Sequence, residues 1–91
     1  MKTFIGRHSG YEATTGNQNT AVGVYALYNS VGASYYNVAM GYAAGYAITT
    51  GDNLICIGTD SGRTGSPGGN ITTQNNYIML GDENITQAYI Q

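Results

Sequence analysis

Glycine recurs at fixed intervals along this chain. Gly6, Gly10, Gly16 and Gly23 are repeated thirty-five residues later as Gly41, Gly45, Gly51 and Gly58. A shorter repeat lies inside this one, because an aliphatic residue precedes glycine at positions 5–6, 22–23, 40–41 and 57–58, seventeen or eighteen residues apart. A fifth such pair, Leu80 and Gly81, follows after a longer gap. Self-similarity at a fixed period predicts a solenoid or another stacked repeat architecture.

The composition limits both the partners and the core of the chain. Only 9% of the 91 residues are charged and the formal net charge is -2, so the clustered Lys and Arg that attract nucleic acid or an anionic membrane surface are missing. No apolar run is long enough to predict insertion into a membrane. With one Phe and no Trp, the chain has few bulky core residues. We therefore expect it to gain stability by stacking on copies of itself.

Short strands are expected just before each repeat glycine, because frequent Gly, Asn, Thr and Tyr disfavour helix. Residues one and three positions before the glycine share one strand face, and the residue two positions before it lies on the other. The first face carries Thr3/Ile5, Thr20/Val22, Val38/Met40, Ile55/Ile57 and Ile78/Leu80, and the second carries Phe4, Ala21, Ala39, Cys56 and Met79. Both faces are largely apolar, which is typical of strands buried on two sides. We expect one face to fill the solenoid and the other to meet a neighbouring subunit.

The repeat divides the chain into three segments. Residues 1–62 are predicted to form a β-solenoid-like repeat module, built as a β-roll or β-prism of short strands. Residues 63–75 break the period and have the Gly- and Ser-rich composition of an exposed loop. Residues 76–91 restart the pattern as a C-terminal strand followed by an extended tail. The predicted fold class is therefore all-β.

The glycines and the corners are expected to carry special backbone conformations. The structural repeat positions, where we expect positive φ or close backbone approach between turns, are Gly6, Gly23, Gly41, Gly58 and Gly81. Gly, Asn and Asp precede the strands at residues 16–19, 34–37 and 51–53, and these residue types tolerate left-handed conformations. Asn side chains at equivalent corners are expected to hydrogen-bond to one another along the stack.

Two parts of the chain resemble known fibre proteins. Residues 19–27 (NTAVGVYAL) and 37–45 (NVAMGYAAG) resemble the repeats of bacteriophage tail fibres and of trimeric autotransporter adhesin heads. Residues 76–91 (NYIMLGDENITQAYIQ) are similar to the closing segment of phage tail fibres and tailspikes, which in that family precedes a self-cleaving intramolecular chaperone domain. The resemblance covers residues 3–62 and 76–91. It implies an intertwined, parallel homotrimer in a virion tail fibre. Its partners would be the rest of the phage tail and a C-terminal chaperone domain that this sequence lacks.

No enzyme site is predicted, and neither a cofactor nor a metal. His8 is the only imidazole, and as a general base it would need a positioned partner residue. Its counterpart in the next double unit is Ala43, so the repeat does not preserve a histidine at this position. Asp82 and Glu83 are adjacent and point to opposite faces of a strand, whereas a glycosidase needs two carboxylates flanking one bond. Cys56 occupies the second strand face, which favours a buried packing thiol over a nucleophile.

Tyrosines are the main candidates for receptor contact. A tyrosine ring offers an apolar face and a polar tip, which suits stacking on sugar rings as well as burial in an interface. The alternative is that these rings cover the seams of a trimer or stack as ladders on the solenoid surface. The receptor-binding candidates are the tyrosines of the central turns and one arginine of the irregular loop: Tyr25, Tyr28, Tyr35, Tyr36, Tyr42, Tyr46 and Arg63.

The expected function is a structural and receptor-binding segment of a phage tail fibre that attaches as a homotrimer to a host surface glycan. The head module of a bacterial adhesin and a fibre shaft without any receptor site are the alternatives. The closing segment favours the phage, and the gene neighbourhood distinguishes the two sources. An ice-binding solenoid needs a flat threonine array, but the Thr-Thr pairs at 14–15 and 49–50 recur only every second turn.

Overall fold

The computed structural model describes residues 1–91 as an all-β solenoid. One five-stranded sheet runs along it with the strands parallel and in sequence order. The strands are β1 (Lys2–Ile5), β2 (Asn19–Val22), β3 (Val38–Met40), β4 (Ile55–Ile57) and β5 (Ile78–Leu80). Each strand ends directly before a repeat glycine, so the predicted positions of the strands and the solenoid class are confirmed.

The register of the sheet reproduces the repeat of the sequence. Thr3 pairs with Thr20, Thr20 with Val38, Val38 with Ile55, and Ile55 with Ile78. Successive turns are therefore 17, 18, 17 and 23 residues long. Of the 48 backbone hydrogen bonds, 39 lie outside the strands, and many of these join equivalent positions on successive turns. The turns hold the stack together as much as the sheet does.

The strand face that carries the residue two positions before each repeat glycine lines the core. Ala21, Ala39 and Cys56 are fully buried, Met79 is 2% exposed, and Phe4 packs on the same cluster in the first turn. The rest of the cluster comes from the turns, which contribute Ala26, Leu27, Ala44, Ile48, Leu54 and Ile71. Because the strands contribute mainly small side chains, the larger aliphatic residues of the turns fill the interior.

The other strand face points outward and is uncovered in the single chain. It carries no charged residue, and we call it the outer sheet face: Thr3, Ile5, Thr20, Val22, Val38, Met40, Ile55, Ile57, Ile78 and Leu80. Its exposed apolar side chains include Ile5 at 59%, Met40 at 44% and Leu80 at 54% of their full accessible area. The alternation expected from the sequence is confirmed, and one apolar face remains without a partner.

Two buried asparagines, Asn19 and Asn37, connect their own turns of the solenoid to the next turn. Asn37 Nδ2 donates to Ser34 Oγ at 2.7 Å and to the Gly51 carbonyl at 2.8 Å, and Asn37 Oδ1 accepts from Leu54 N at 2.9 Å. Asn19 Oδ1 accepts from Asn37 N at 3.0 Å in the same way. These side chains bond to the backbone of the next turn instead of to each other. The predicted bond between Asn side chains occurs at the exposed corner, where Asn53 Nδ2 donates to Asn76 Oδ1 at 2.8 Å.

The repeat glycines have both properties that the sequence predicts. Gly23, Gly41 and Gly58 adopt φ values of +136°, +126° and +113°, a region that side chains disfavour. A Cβ atom on Gly41 would lie 2.8 Å from the carbonyl carbon of Gly58 on the next turn. Only glycine allows the backbones to approach this closely.

The irregular segment is a wider turn of the solenoid and is less exposed than predicted. Within the loop expected at residues 63–75, Ile71 is fully buried and Ser66 is 7% exposed. Ile71 N donates to the Gly62 carbonyl at 2.8 Å, and Gly62 N donates to Ser66 Oγ at 3.0 Å. The expectation of an exposed loop is wrong for these two residues, because Ile71 supplies an apolar side chain to the core and Ser66 hydrogen-bonds within the turn.

The C-terminal tail leaves the solenoid after Gly81. Its last backbone hydrogen bond joins Ile85 N to the Asp82 carbonyl at 3.2 Å. Beyond it the chain has no regular structure, and Tyr89 and Ile90 are 91% and 86% exposed. No strand or helix follows β5 in this segment.

Candidate functional site

One corner of the solenoid collects most of its aromatic side chains. The second residue after each of four repeat glycines has a positive φ, at His8, Tyr25, Ala43 and Asp60. The same backbone kink therefore recurs on each turn, and it brings equivalent side chains into line along the stack. We call this surface the aromatic corner, and it consists of His8, Tyr11, Tyr25, Tyr28, Tyr42 and Tyr46.

Three tyrosines of the aromatic corner form a stacked ladder. The ring centroids of Tyr11 and Tyr28 are 5.1 Å apart with an interplanar angle of 9°. Those of Tyr28 and Tyr46 are also 5.1 Å apart, with an angle of 15°. Each ring occupies the fifth position after its repeat glycine, so the period of the solenoid sets the ladder. Such offset stacking adds to the energy of burial.

Arg63 continues this ladder on the next turn. It stands at the fifth position after Gly58, and its Cζ lies 4.7 Å from the ring centroid of Tyr46. Its Nη1 donates to Asp60 Oδ1 at 2.8 Å, which holds the guanidinium over the ring. Tyr28 and Tyr46 consequently have neighbours on both ring faces. A sugar ring can stack on neither without displacing one of these neighbours.

Tyr25 and Tyr42 lie beside the ladder. Tyr25 stacks on His8 with centroids 5.6 Å apart, and it meets Tyr42 edge-to-face at 5.9 Å. The Tyr42 side chain is 50% exposed, and Tyr11 at the end of the ladder is 57% exposed. The His8 ring packs among these tyrosines, and its Nδ1 is buried without a hydrogen-bond partner. The freely accessible rings of this corner are therefore Tyr11 and Tyr42.

The structure places the other two predicted tyrosines elsewhere. Tyr35 and Tyr36 lie at the corner that leads into β3, with centroids 6.0 Å apart and an interplanar angle of 41°. Tyr36 is 61% exposed and has a φ of 61°, whereas Tyr35 N donates to Asp52 Oδ1 at 2.7 Å. The predicted receptor-binding residues therefore form two separate groups, one on the aromatic corner with Arg63 and one at this second corner.

The sequence did not identify Tyr11 and His8 as members of the aromatic corner, nor Asp60 as the partner of Arg63. A signal for Tyr11 was present, because it precedes Tyr28 by seventeen residues and Tyr46 by thirty-five, the two intervals of the repeat. Comparison of positions relative to the repeat glycines would have found it. No comparable sequence signal marks His8 or Asp60.

Two side chains have shifted acidities. Desolvation by burial, with the neighbouring Tyr11 and Tyr46 rings and Glu12 contributing, raises the pKa of Tyr28 above its ordinary value. Burial also raises the pKa of the Cys56 thiol to about 12, as is expected of a packing residue and not of a nucleophile.

No three side chains among His, Cys, Asp and Glu come together as a metal site would require. No part of the chain folds into an apolar helix of membrane-spanning length.

A cavity of about 370 Å³ opens beside Arg63. Its wall is mostly polar, with two hydrophobic residues among the seven that line it, and it adjoins the rim of Tyr46. The widened turn after Asp60 forms part of this wall.

Comparisons of the chain with protein-family models, curated proteins and solved structures gave no match.

Proposed function

We propose that this chain is a structural and receptor-binding segment of a bacteriophage tail fibre that assembles as a homotrimer and attaches the virion to its host. The exposed apolar character of the outer sheet face is the observation that supports assembly into a trimer. Soluble monomers rarely expose a continuous apolar surface of this kind, and such a surface marks a site of association. The resemblance of residues 19–27, 37–45 and 76–91 to tail fibres supports the fibre.

A second and a third copy of the chain are the occupants that suit the outer sheet face. The face is uncharged from Thr3 to Leu80, so copies related by rotation bring together apolar columns without like-charge contacts. The face also runs along the whole stack and lengthens with each turn. Three parallel chains around a common axis would cover it, and the trimer would be as long as the solenoid.

The receptor-binding part of the proposal rests on residues outside that face. None of the aromatic-corner residues, and neither Tyr35 nor Tyr36, belongs to the outer sheet face. Tyr11, Tyr36 and Tyr42 have the exposed rings that carbohydrate recognition uses. The net charge of -2 gives little attraction to anionic polymers, which favours neutral sugars. One site per chain is weak, but three per fibre raise the avidity by effective concentration.

Oligomeric state tests the assembly. Light scattering should give three times the chain mass of 9.6 kDa. Met40→Glu places a charge on the outer sheet face and should dissociate the trimer. Val31→Glu is the matched control, because Val31 is 47% exposed, close to the 44% of Met40, but lies off that face. A wild-type monomer, or a Met40→Glu variant that stays trimeric, would contradict the proposed interface.

Attachment is tested separately on the intact trimer. Fluorescently labelled protein should bind bacterial cells and their extracted surface polysaccharide better than the Met40→Glu form does. The double variant Tyr35→Ala/Tyr36→Ala should reduce that binding several-fold and leave the mass unchanged. If it binds normally, or if the trimer dissociates, these two tyrosines are structural. If intact trimers bind no host surface, the chain serves only as part of a fibre shaft.

A further inference from the structure

We infer that the cavity beside Arg63 is a binding subsite for one neutral sugar unit. This inference rests on the proposed attachment to host carbohydrate and adds a second contact on each chain, separate from Tyr35 and Tyr36, which do not line the cavity. The ladder faces of Tyr28 and Tyr46 are occupied, so they cannot provide the stacking platform. The recessed polar site next to them is the alternative.

The cavity is built by the one turn that departs from the repeat. Asn29 and Tyr46 on the preceding turns form one side, and Asp60, Arg63 and Thr64 form the other. Asn70 closes it from the widened turn, which takes 23 residues instead of 17 or 18. Its volume of about 370 Å³ falls in the lower part of the range of about 300–1,000 Å³ that small-molecule sites occupy.

The walls are held in place before any ligand arrives. Ile71, next to Asn70, is fully buried and anchored by its backbone bond to Gly62. Ser66 N donates to the Arg63 carbonyl at 3.0 Å, and Ser66 Oγ accepts from Gly62 N. The widened turn is thereby tied to the core at both ends. A preorganised site loses less entropy on binding.

The unused hydrogen-bonding groups match those of a sugar. Asp60 Oδ2 and Asn29 Oδ1 accept no hydrogen bond within the chain, whereas Asp60 Oδ1 and Asn29 Nδ2 are engaged. Thr64 Oγ1 and the Asn70 amide have no partner within the chain, and Arg63 uses only Nη1. Acceptors and donors thus face one cavity together. Adjacent sugar hydroxyls, which both donate and accept, pair with such a set.

The charges in the cavity favour a neutral ligand. Asp60 and Arg63 are the oppositely charged residues of the lining and they pair with each other at 2.8 Å, so their formal charges cancel. An acidic sugar would gain no net attraction and would meet Asp60 at close range. A neutral sugar leaves the ion pair intact, and its hydroxyls can hydrogen-bond to the Asp60 and Arg63 atoms that the pair does not use.

The test is an NMR titration of the ¹⁵N-labelled full chain with glucose, galactose, mannose and N-acetylglucosamine, and with glucuronate as the acidic probe. We expect a neutral sugar to shift the Asn70 and Asn29 side-chain amides and the Thr64 backbone amide, with no change in affinity when salt is added. Asn70→Ala should weaken binding about fivefold to tenfold, as the loss of one or two hydrogen bonds implies. Asn84→Ala is the matched control, because Asn84 is an exposed asparagine in the same Asn-Ile-Thr tripeptide outside the cavity.

The outcomes separate this subsite from the proposed function. Sugar-induced shifts confined to Tyr35 and Tyr36, with none at Asn29, Thr64 or Asn70, would overturn the subsite but keep glycan attachment. Preference for glucuronate with strong salt dependence would overturn the neutral chemistry. If no sugar causes a shift but the trimer still adheres to host cells, the subsite alone is overturned. If no sugar causes a shift and the trimer also does not bind host cells, both proposals are overturned.

Discussion

Replacement of Asn37 by alanine tests the link between successive turns. The Asn37 side chain makes three hydrogen bonds inside the solenoid, to Ser34 Oγ, to the Gly51 carbonyl and from Leu54 N, each between 2.7 and 2.9 Å. It is 1% exposed, so water cannot replace these partners without entering the core. The variant removes all three at once.

The expected cost follows from which partners are left unpaired. Leu54 N has no other acceptor, and a buried unpaired N–H costs about 1–3 kcal/mol. The Gly51 carbonyl keeps the Ser34 hydroxyl as a donor at 2.7 Å, so its loss and that of the Ser34 contact are about 1 kcal/mol each. We expect Asn37→Ala to lower the free energy of unfolding by about 3–5 kcal/mol.

Urea unfolding followed by circular dichroism, at one protein concentration, measures this change. The midpoint should fall by at least about 1 M, since the slope for small proteins is about 1–3 kcal/mol per molar. Asn75→Ala is the matched control: Asn75 is exposed, and it loses a single bond, from Asp52 N at 2.8 Å, that water replaces. Equal midpoints for the two variants would refute the idea that the buried asparagines hold the turns together.

Two further predictions concern the backbone and the core. Gly41→Val should prevent folding or assembly, because its Cβ would collide with the backbone of Gly58. Gly69→Val should do less damage, since Gly69 has open space around it and only an unfavourable φ of +76°. Circular dichroism and size-exclusion chromatography compare the two variants, and equal damage would contradict the close approach of turns. Gly65 is a poorer control, because its φ is +95° and a Cβ there would meet Glu83. Because burial raises the pKa of Cys56 to about 12, the thiol stays protonated in the folded chain, and any stability it contributes is present below its unfolded pKa and lost as pH rises through about 12. Its alkylation at pH 8 should be slow in buffer and fast in urea, and a native rate equal to the unfolded rate would contradict the buried position.

The sequence predicted the parts of the fold that depend on local pattern. The spacing of aliphatic–glycine pairs located all five strands, and the two-residue alternation of strands separated Cys56 and its column from Met40 and its column. These features follow from the period and from side-chain geometry within a few residues. The exposed apolar face was predictable for the same reason.

The candidate site was predictable only in part. Tyr25, Tyr28, Tyr42 and Tyr46 were selected as a cluster and come together, but Tyr35 and Tyr36 lie elsewhere. The positive φ of Tyr25 and Ala43 has no propensity signal, because neither residue type favours it. The stacked turns impose that conformation.

Long-range stacking decided the rest. Ile71 is buried because the widened turn supplies an apolar side chain to the core. The Gly- and Ser-rich sequence around it does not indicate that this residue is buried. Arg63 reaches Tyr46, seventeen residues earlier, only because turns of nearly equal length place both side chains on one line. The local sequence determined where each strand begins and ends, whereas the alignment of one turn on the next determined which side chains meet, since those contacts exist only once the stack has formed.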